Sequence, residues 1–164
     1  KEADTINPDY LIVDTPGQIE LFAYRQSGPF FVNEFIAEEK MNLFLFDGTM
    51  VSTPENFVSL TLLSTSIRLR LGLPTVNVIT KTDLIQEKLE KVLSWSGTDS
   101  QLEADLAGEV NGDTFSLISD MLSSLNRHDF QQDLIPVSNA TGDGMVNLQS
   151  ALSRTINLGE EIED

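Results

Sequence analysis

A length of 164 residues suits one compact domain able to bury a core, and 40% hydrophobic with 22% charged residues is ordinary globular usage. No apolar run approaches the ~20 residues that span a bilayer, and the net charge of −16, from 26 acids against 10 bases, sets up an averaged field that repels phosphate backbones and anionic lipid, so neither membrane nor direct nucleic-acid binding is expected. With no cysteine, disulfides and thiolate metal sites are excluded, and the amino end has no signal-peptide pattern, which makes a cytoplasmic location the expectation.

Tyr10-Leu11-Ile12-Val13 is a continuous apolar run, the pattern of a strand buried on both faces, stopped by Pro16-Gly17. Phe31 to Met41 reads as a helix, and Leu43-Phe44-Leu45-Phe46 repeats the strand pattern before Asp47-Gly48. Thr53 followed by Pro54 is a cap and first-turn pair; Phe57, Leu60, Leu63, Ile67 and Leu71 then recur at helical spacing until Gly72 supplies a stop. Thr75 to Ile79 is the third strand and Leu84 to Trp95 the next helix. Ser96 to Asp113, with three glycines and many acids, reads as a short helix and loops. Phe115 to Leu125 is helical, Leu134-Ile135-Pro136-Val137 is the fourth strand, and Val146 to Ile156 closes the set. Strands separated by helices predict a mostly parallel α/β sheet with right-handed crossovers.

The expected organisation is a single domain over residues 1–164, with an acidic helical insertion at 96–128 and an acidic tail at 159–164. Between Val92 and Asn126 there are six acids and no basic residue, which reads as a solvated acidic face. Lys1 is not a start methionine and a strand follows within a few residues, so the chain reads as a fragment.

In open parallel sheets ligands sit at the carboxyl ends of the strands. Those ends carry Asp14-Thr15-Pro16-Gly17-Gln18, Asp47-Gly48, Thr80-Lys81-Thr82-Asp83 and Ser138-Asn139-Ala140, and three of the four offer nucleotide chemistry. Asp14 is placed as a Walker B acid, which holds Mg²⁺ through water because a dry strand fixes its carboxylate beside phosphates. Gly17 lets the backbone approach a terminal phosphate and offer its N–H. Gln18 is a candidate for orienting an attacking water, with a polar helix-opening residue as the plain alternative.

Asp83 has the sharpest rationale. A carboxylate fixed at a strand end accepts from both guanine N1–H and the 2-amino group, whereas adenine turns a lone pair and no amino group toward it, and such sites discriminate by ~10⁴–10⁵. Lys81 can lay its aliphatic stem along the base. The turn Ser138-Asn139-Ala140-Thr141-Gly142-Asp143-Gly144 follows the last strand, where small residues let a backbone N–H approach guanine O6. Trp95 and Phe115 read as packing residues and His128 as a loop residue, and no Gly-x-Ser-x-Gly elbow is present.

Asp14-Thr15-Pro16-Gly17-Gln18-Ile19-Glu20 with Leu21-Phe22, the Asp83 motif and the Ser138 turn together resemble the GPN-loop GTPases of archaea and eukaryotes over most of the chain. Asp-Thr-Pro-Gly-Gln-[apolar]-Glu is more specific than the general Asp-x-x-Gly of GTPases. The resemblance implies a P-loop NTPase-type fold, hydrolysis of GTP to GDP with Mg²⁺, and a homodimer in which a Gly-Pro-Asn loop reaches the partner's phosphates. Eukaryotic members are implicated in RNA polymerase assembly and nuclear import. Carried over by position, Asp14 is the magnesium-side acid, Gly17 the phosphate-sensing backbone, Lys81 and Asp83 the base readers, and Asn139, between Ser138 and Ala140, the O6 contact through its backbone. Thr80 stands where many GTPases have Asn, which weakens the expected tie to the P-loop and leaves Asp83 unaffected.

The 164 residues contain no Gly-x-x-x-x-Gly-Lys-[Ser/Thr] and no Gly-Pro-Asn. The fold is therefore expected to be incomplete, the parent a GTPase and this chain alone inactive. In P-loop sheets the P-loop strand lies between the Walker B strand and the next one, so Leu11 to Val13 and Leu43 to Phe46 lose their shared neighbour. Direct pairing of the two, pairing with another chain, or an upstream segment are the three outcomes. Two other functional readings stay open: a nucleotide-free dimerisation or partner-docking module, and another P-loop protein such as a dethiobiotin-synthetase-like or MinD-like ATPase of the SIMIBI type, against which Asp83 argues.

Overall fold

The structure, a computed structural model, describes residues 10–15, 17–35, 37–96, 101–127 and 134–160. The chain divides into two compact units, Lys1–Ile36 and Ala37–Asp164.

In the first unit two short helices, α1 (Ile19–Tyr24) and α2 (Ser27–Glu34), fold into a hairpin. Gly28 makes the close approach possible, since a Cβ there would lie 2.1 Å from the Phe22 carbonyl oxygen. Phe22 meets Phe31 edge-on at 6.5 Å and Phe31 meets Phe35 at 5.5 Å. Two expectations are corrected. The helix placed at Phe31 to Met41 starts at Ser27 and stops at Glu34, with Pro29 in the first turn, where its missing N–H costs nothing. Tyr10 to Val13 form no strand: Tyr10 is 73% and Ile12 88% exposed. Apolar character supplies the faces of a strand but not its hydrogen bonds, which a neighbour must provide, and among the described residues no strand pairs with this run.

The second unit is an α/β sandwich around a parallel three-stranded sheet, β1 (Asn42–Asp47), β2 (Thr75–Thr80) and β3 (Leu134–Pro136), in spatial order β1-β2-β3. Helix α3 (Pro54–Leu71) crosses from β1 to β2, with the Thr53 hydroxyl accepting from Asn56 N–H at its start and Gly72 at φ 67° ending it. A 3-10 turn at Thr82–Leu84 and helices α4 (Gln86–Ser94), α5 (Leu102–Leu106) and α6 (Gly112–Arg127) lead to β3, and α7 (Met145–Glu160) follows. The predicted helix at Leu84 to Trp95 is thus split at Ile85, and the short helix expected within 96–113 is α5. His128 and the tail from Glu161 lie outside the described residues. Among the described residues no helix is long and apolar enough to cross a membrane.

Register assigns the faces. Phe44 and Phe46 share a side with Asn77 and Ile79. There Phe46 stacks near Phe57 at 6.3 Å, Phe57 meets Trp95 at 5.6 Å, and the Ser64 hydroxyl donates to Asn77 Oδ1 at 2.7 Å, satisfying a buried amide in the central strand. On the opposite side Val76 and Val78 pack with Val137 and Ala151, and with Leu148 and Leu152 of α7. Leu43 and Leu45, in register with Val76 and Val78, lie on that same side yet stay 36% and 61% exposed. The strand expected to be buried on both faces is covered on one.

Candidate functional site

The site is built where β2 ends. Thr80 pairs in register with Asp47, and the next residue, Lys81, is the one described non-glycine residue with positive φ, at φ 57° and ψ 35°. That left-handed step costs ~1–2 kcal/mol and opens the 3-10 turn, so the side chains on either side of it part company. Lys81 reaches the end of β1, where its Nζ lies 2.6 Å from Asp47 Oδ2. Asp83 turns toward the end of β3, where the Ser138 hydroxyl donates to Asp83 Oδ1 at 2.6 Å. Thr82, buried between them, donates its N–H to the Val137 carbonyl at 3.3 Å. Thr80 spends its hydroxyl on the Phe46 carbonyl, at 3.1 Å.

Ser138 is 1% exposed and fully engaged. Its N–H donates to the Asp143 carbonyl at 3.0 Å, its carbonyl accepts from Gly142 N–H at 2.9 Å, and its hydroxyl accepts from Thr141 N–H at 3.2 Å while donating to Asp83. The Thr141 hydroxyl donates to Asp143 Oδ2 at 2.6 Å. This leaves Asn139 and Ala140 exposed at the tip of the turn. Gly142 (φ 81°) and Gly144 (φ 78°) are both left-handed, and a Cβ on Gly144 would lie 1.9 Å from the Pro136 carbonyl oxygen, so only glycine lets the turn fold back on β3.

The structure therefore brings Thr80, Lys81, Asp83 and Ser138 together, with Asn139 and Ala140 beside them. Asp14, Gly17 and Gln18 belong to the first unit. All three are exposed; a Cβ on Gly17 would meet nothing within 4 Å, and the Gln18 carbonyl accepts from Leu21 N–H at 3.0 Å as it opens α1. Among the described residues no three His, Cys, Asp or Glu side chains cluster to hold a metal. The run before Asp14 forms no strand, so the buried strand end expected to fix its carboxylate is not found among the described residues. Mg²⁺ keeps several waters and takes oxygens from one or two carboxylates and from substrate phosphates, so a single exposed carboxylate does not by itself mark its site.

Sequence reasoning missed one participant. Asp47 was noted at a strand end and given no role, yet it grips Lys81, and this contact and the Thr49 hydroxyl hold its carboxyl below the usual aspartate range. An acid directly after an apolar strand was the available signal.

Residues 1–158 match the family model described as a conserved hypothetical ATP binding protein. The chain is 28% identical to GPN-loop GTPase 1 of Saccharomyces cerevisiae over 155 residues, covering 88% of this chain and 40% of that protein. It is 31% identical over 148 residues to a GPN-loop GTPase of Arabidopsis thaliana, covering 88% and 37%. It thus spans about two fifths of the length of these two relatives. The apo-form crystal structure of a GTPase from Pyrococcus abyssi superimposes with a TM-score of 0.75 at 22% identity, over 90% of this chain and 58% of that one, which establishes the shared fold. By the family match and by these relatives, the chain belongs to the GPN-loop GTPase family.

Proposed function

We propose that this chain carries the guanine-reading part of a GTPase, with Asp83 as the group that selects the base. The observation that carries the proposal is the 2.6 Å hydrogen bond from Ser138 to Asp83, which ties two motifs 55 residues apart into one rigid acceptor at the carboxyl ends of the strands. A carboxylate has about four lone-pair sites, so accepting from Ser138 leaves capacity for guanine N1–H and the 2-amino group. Adenine would leave those acceptors unpaired, and that loss is the source of the discrimination. The Lys81 stem flanks the base, and the exposed backbone at Asn139 and Ala140 supplies an N–H for O6.

In the whole protein Asp14 would hold Mg²⁺ through water, the ion offsetting charge on the phosphates; Gly17 would present its N–H to the terminal phosphate, and Gln18 would orient the attacking water. Hydrolysis of GTP to GDP and phosphate, a homodimer, a cytoplasmic location and a partner in the RNA polymerase machinery are proposed on family membership.

The test is calorimetric titration of the full-length protein with GTP and with ATP, each with Mg²⁺. Saturable GTP binding that ATP does not compete away is the expected result. Equal competition would favour the adenine nucleotide that the family model's description names, and no heat with either would favour a nucleotide-free docking module. Asp83→Asn should shift preference from guanine to xanthine nucleotides by ~10²-fold or more, because an amide donates to the xanthine 2-oxo group; an unchanged preference for GTP would remove Asp83 as the base reader.

A further inference from the structure

Asp47-Gly48 is the strand end left without a nucleotide role, and both oxygens of its carboxylate are engaged. Oδ1 accepts the N–H and the hydroxyl of Thr49 at 3.0 and 2.7 Å, and Oδ2 takes Lys81 Nζ at 2.6 Å. Gly48 donates its N–H to the Thr80 carbonyl at 3.0 Å, and a Cβ on Gly48 would lie 2.6 Å from that oxygen, so the turn after β1 is locked onto the end of β2. Asp47 is thus held by its own turn independently of the lysine. Lys81, with a side chain 55% exposed, has a flexible four-carbon stem whose head this contact fixes.

We propose that Asp47 is a positioning residue for the base site: by gripping the Lys81 ammonium it holds the lysine stem across the carboxyl ends of β1 and β2, as a wall formed in advance beside the slot that Asp83 edges. Three physical consequences favour this arrangement. A ligand that meets an ordered stem does not have to order it. With the ammonium neutralised at β1, the methylenes are the part of Lys81 left to face a base. Asp47 also competes with Asp83 for the lysine, and a Lys81–Asp83 pair would occupy the oxygens that a guanine edge needs. The assignment rests on the guanine-nucleotide reading of this site.

The experiment is equilibrium titration of the full-length protein with a fluorescent guanine nucleotide, mant-GDP. Asp47→Asn keeps an oxygen for Thr49 and removes the charge that holds Lys81, so it should weaken binding by about 5-fold, the upper end for a partly exposed ion pair. Asp47→Glu should recover most of that loss. In a Lys81→Met background Asp47→Asn should change nothing further, because the two act through one contact. A merely structural Asp47 would weaken binding equally in both backgrounds. Binding by Asp47→Asn within about twofold of wild type, or an undiminished effect in the Lys81→Met protein, would overturn the assignment. If Asp47→Asn does not fold, Asp47→Ser, whose hydroxyl still accepts from Thr49, carries the same comparison. Absence of mant-GDP binding by the wild type would sink both this proposal and the guanine reading. A silent Asp47→Asn beside an Asp83→Asn that moves base preference would sink this one alone.

Discussion

At the scale of single residues, the site depends on a hydroxyl and on a missing methyl group. Ser138 donates to a carboxylate, and hydrogen bonds to charged groups contribute ~1.5–3 kcal/mol. Ser138→Ala should therefore weaken guanine-nucleotide binding by about 10-fold or more, read by titration with mant-GDP, while leaving the preference for guanine over xanthine in place because Asp83 is still present. Gly142 and Gly144 separate backbone strain from crowding. Both have positive φ, but nothing lies within 4 Å of a Cβ on Gly142, whereas one on Gly144 would strike the Pro136 carbonyl. Gly142→Ala should cost ~1–2 kcal/mol for the left-handed backbone alone. Gly144→Ala should add a further ~1–3 kcal/mol of overpacking. Urea unfolding of the two variants side by side checks the difference.

At the scale of elements, α5 shows how a helix of five residues is kept in place. Its nucleation is unfavourable in isolation, so its order comes from packing. Leu102 and Leu106 are buried, and Asp105 accepts from Trp95 Nε1 at 2.8 Å while Lys91 Nζ lies 3.3 Å from its other oxygen. The hydrogen bond from Trp95, then Lys91, holds the Asp105 carboxyl below the ordinary aspartate range. A depressed carboxyl stabilises the fold above its unfolded value of about 4 and loses that contribution as pH falls through the lower folded value. Trp95 is the sole tryptophan, so its emission reports on this junction. An emission change should appear only below about pH 4 in the wild type. Asp105→Asn should abolish that pH dependence.

The same elements show what was legible in the sequence. β2 was, because Thr75 to Ile79 follow Pro74 and are β-branched at every position but Asn77, the pattern of a strand, and all five are buried. The long helix α3 was legible from its cap, its period and Gly72. α2 was displaced because Ser27-Gly28-Pro29 reads as a turn unless the close contact of Gly28 with Phe22 is known. The Asp83 and Ser138 motifs were visible separately, but their hydrogen bond, and the grip of Asp47 on Lys81 across 34 residues, arise from strand order, which no local pattern encodes. Tyr10 to Val13 had the composition of a strand without the partner that makes one.

At the scale of the whole molecule, Leu43 and Leu45 form an apolar stripe on a chain with net charge −16. The two features oppose each other in solution. Like-charged copies repel over a Debye length of ~10 Å at 0.1 M salt, and ~3 Å at 1 M. Contact between apolar stripes is not screened, and sulfate strengthens it. Added ammonium sulfate should therefore promote self-association of this chain, seen as a rising scattering mass, and Leu45→Lys should suppress the rise. An association held by ion pairs would show the opposite trend. Loss of that rise in Leu45→Lys would assign the cohesion to the uncovered side of β1, and a rise kept in that variant would assign it to other exposed apolar side chains such as Ile12 and Val146.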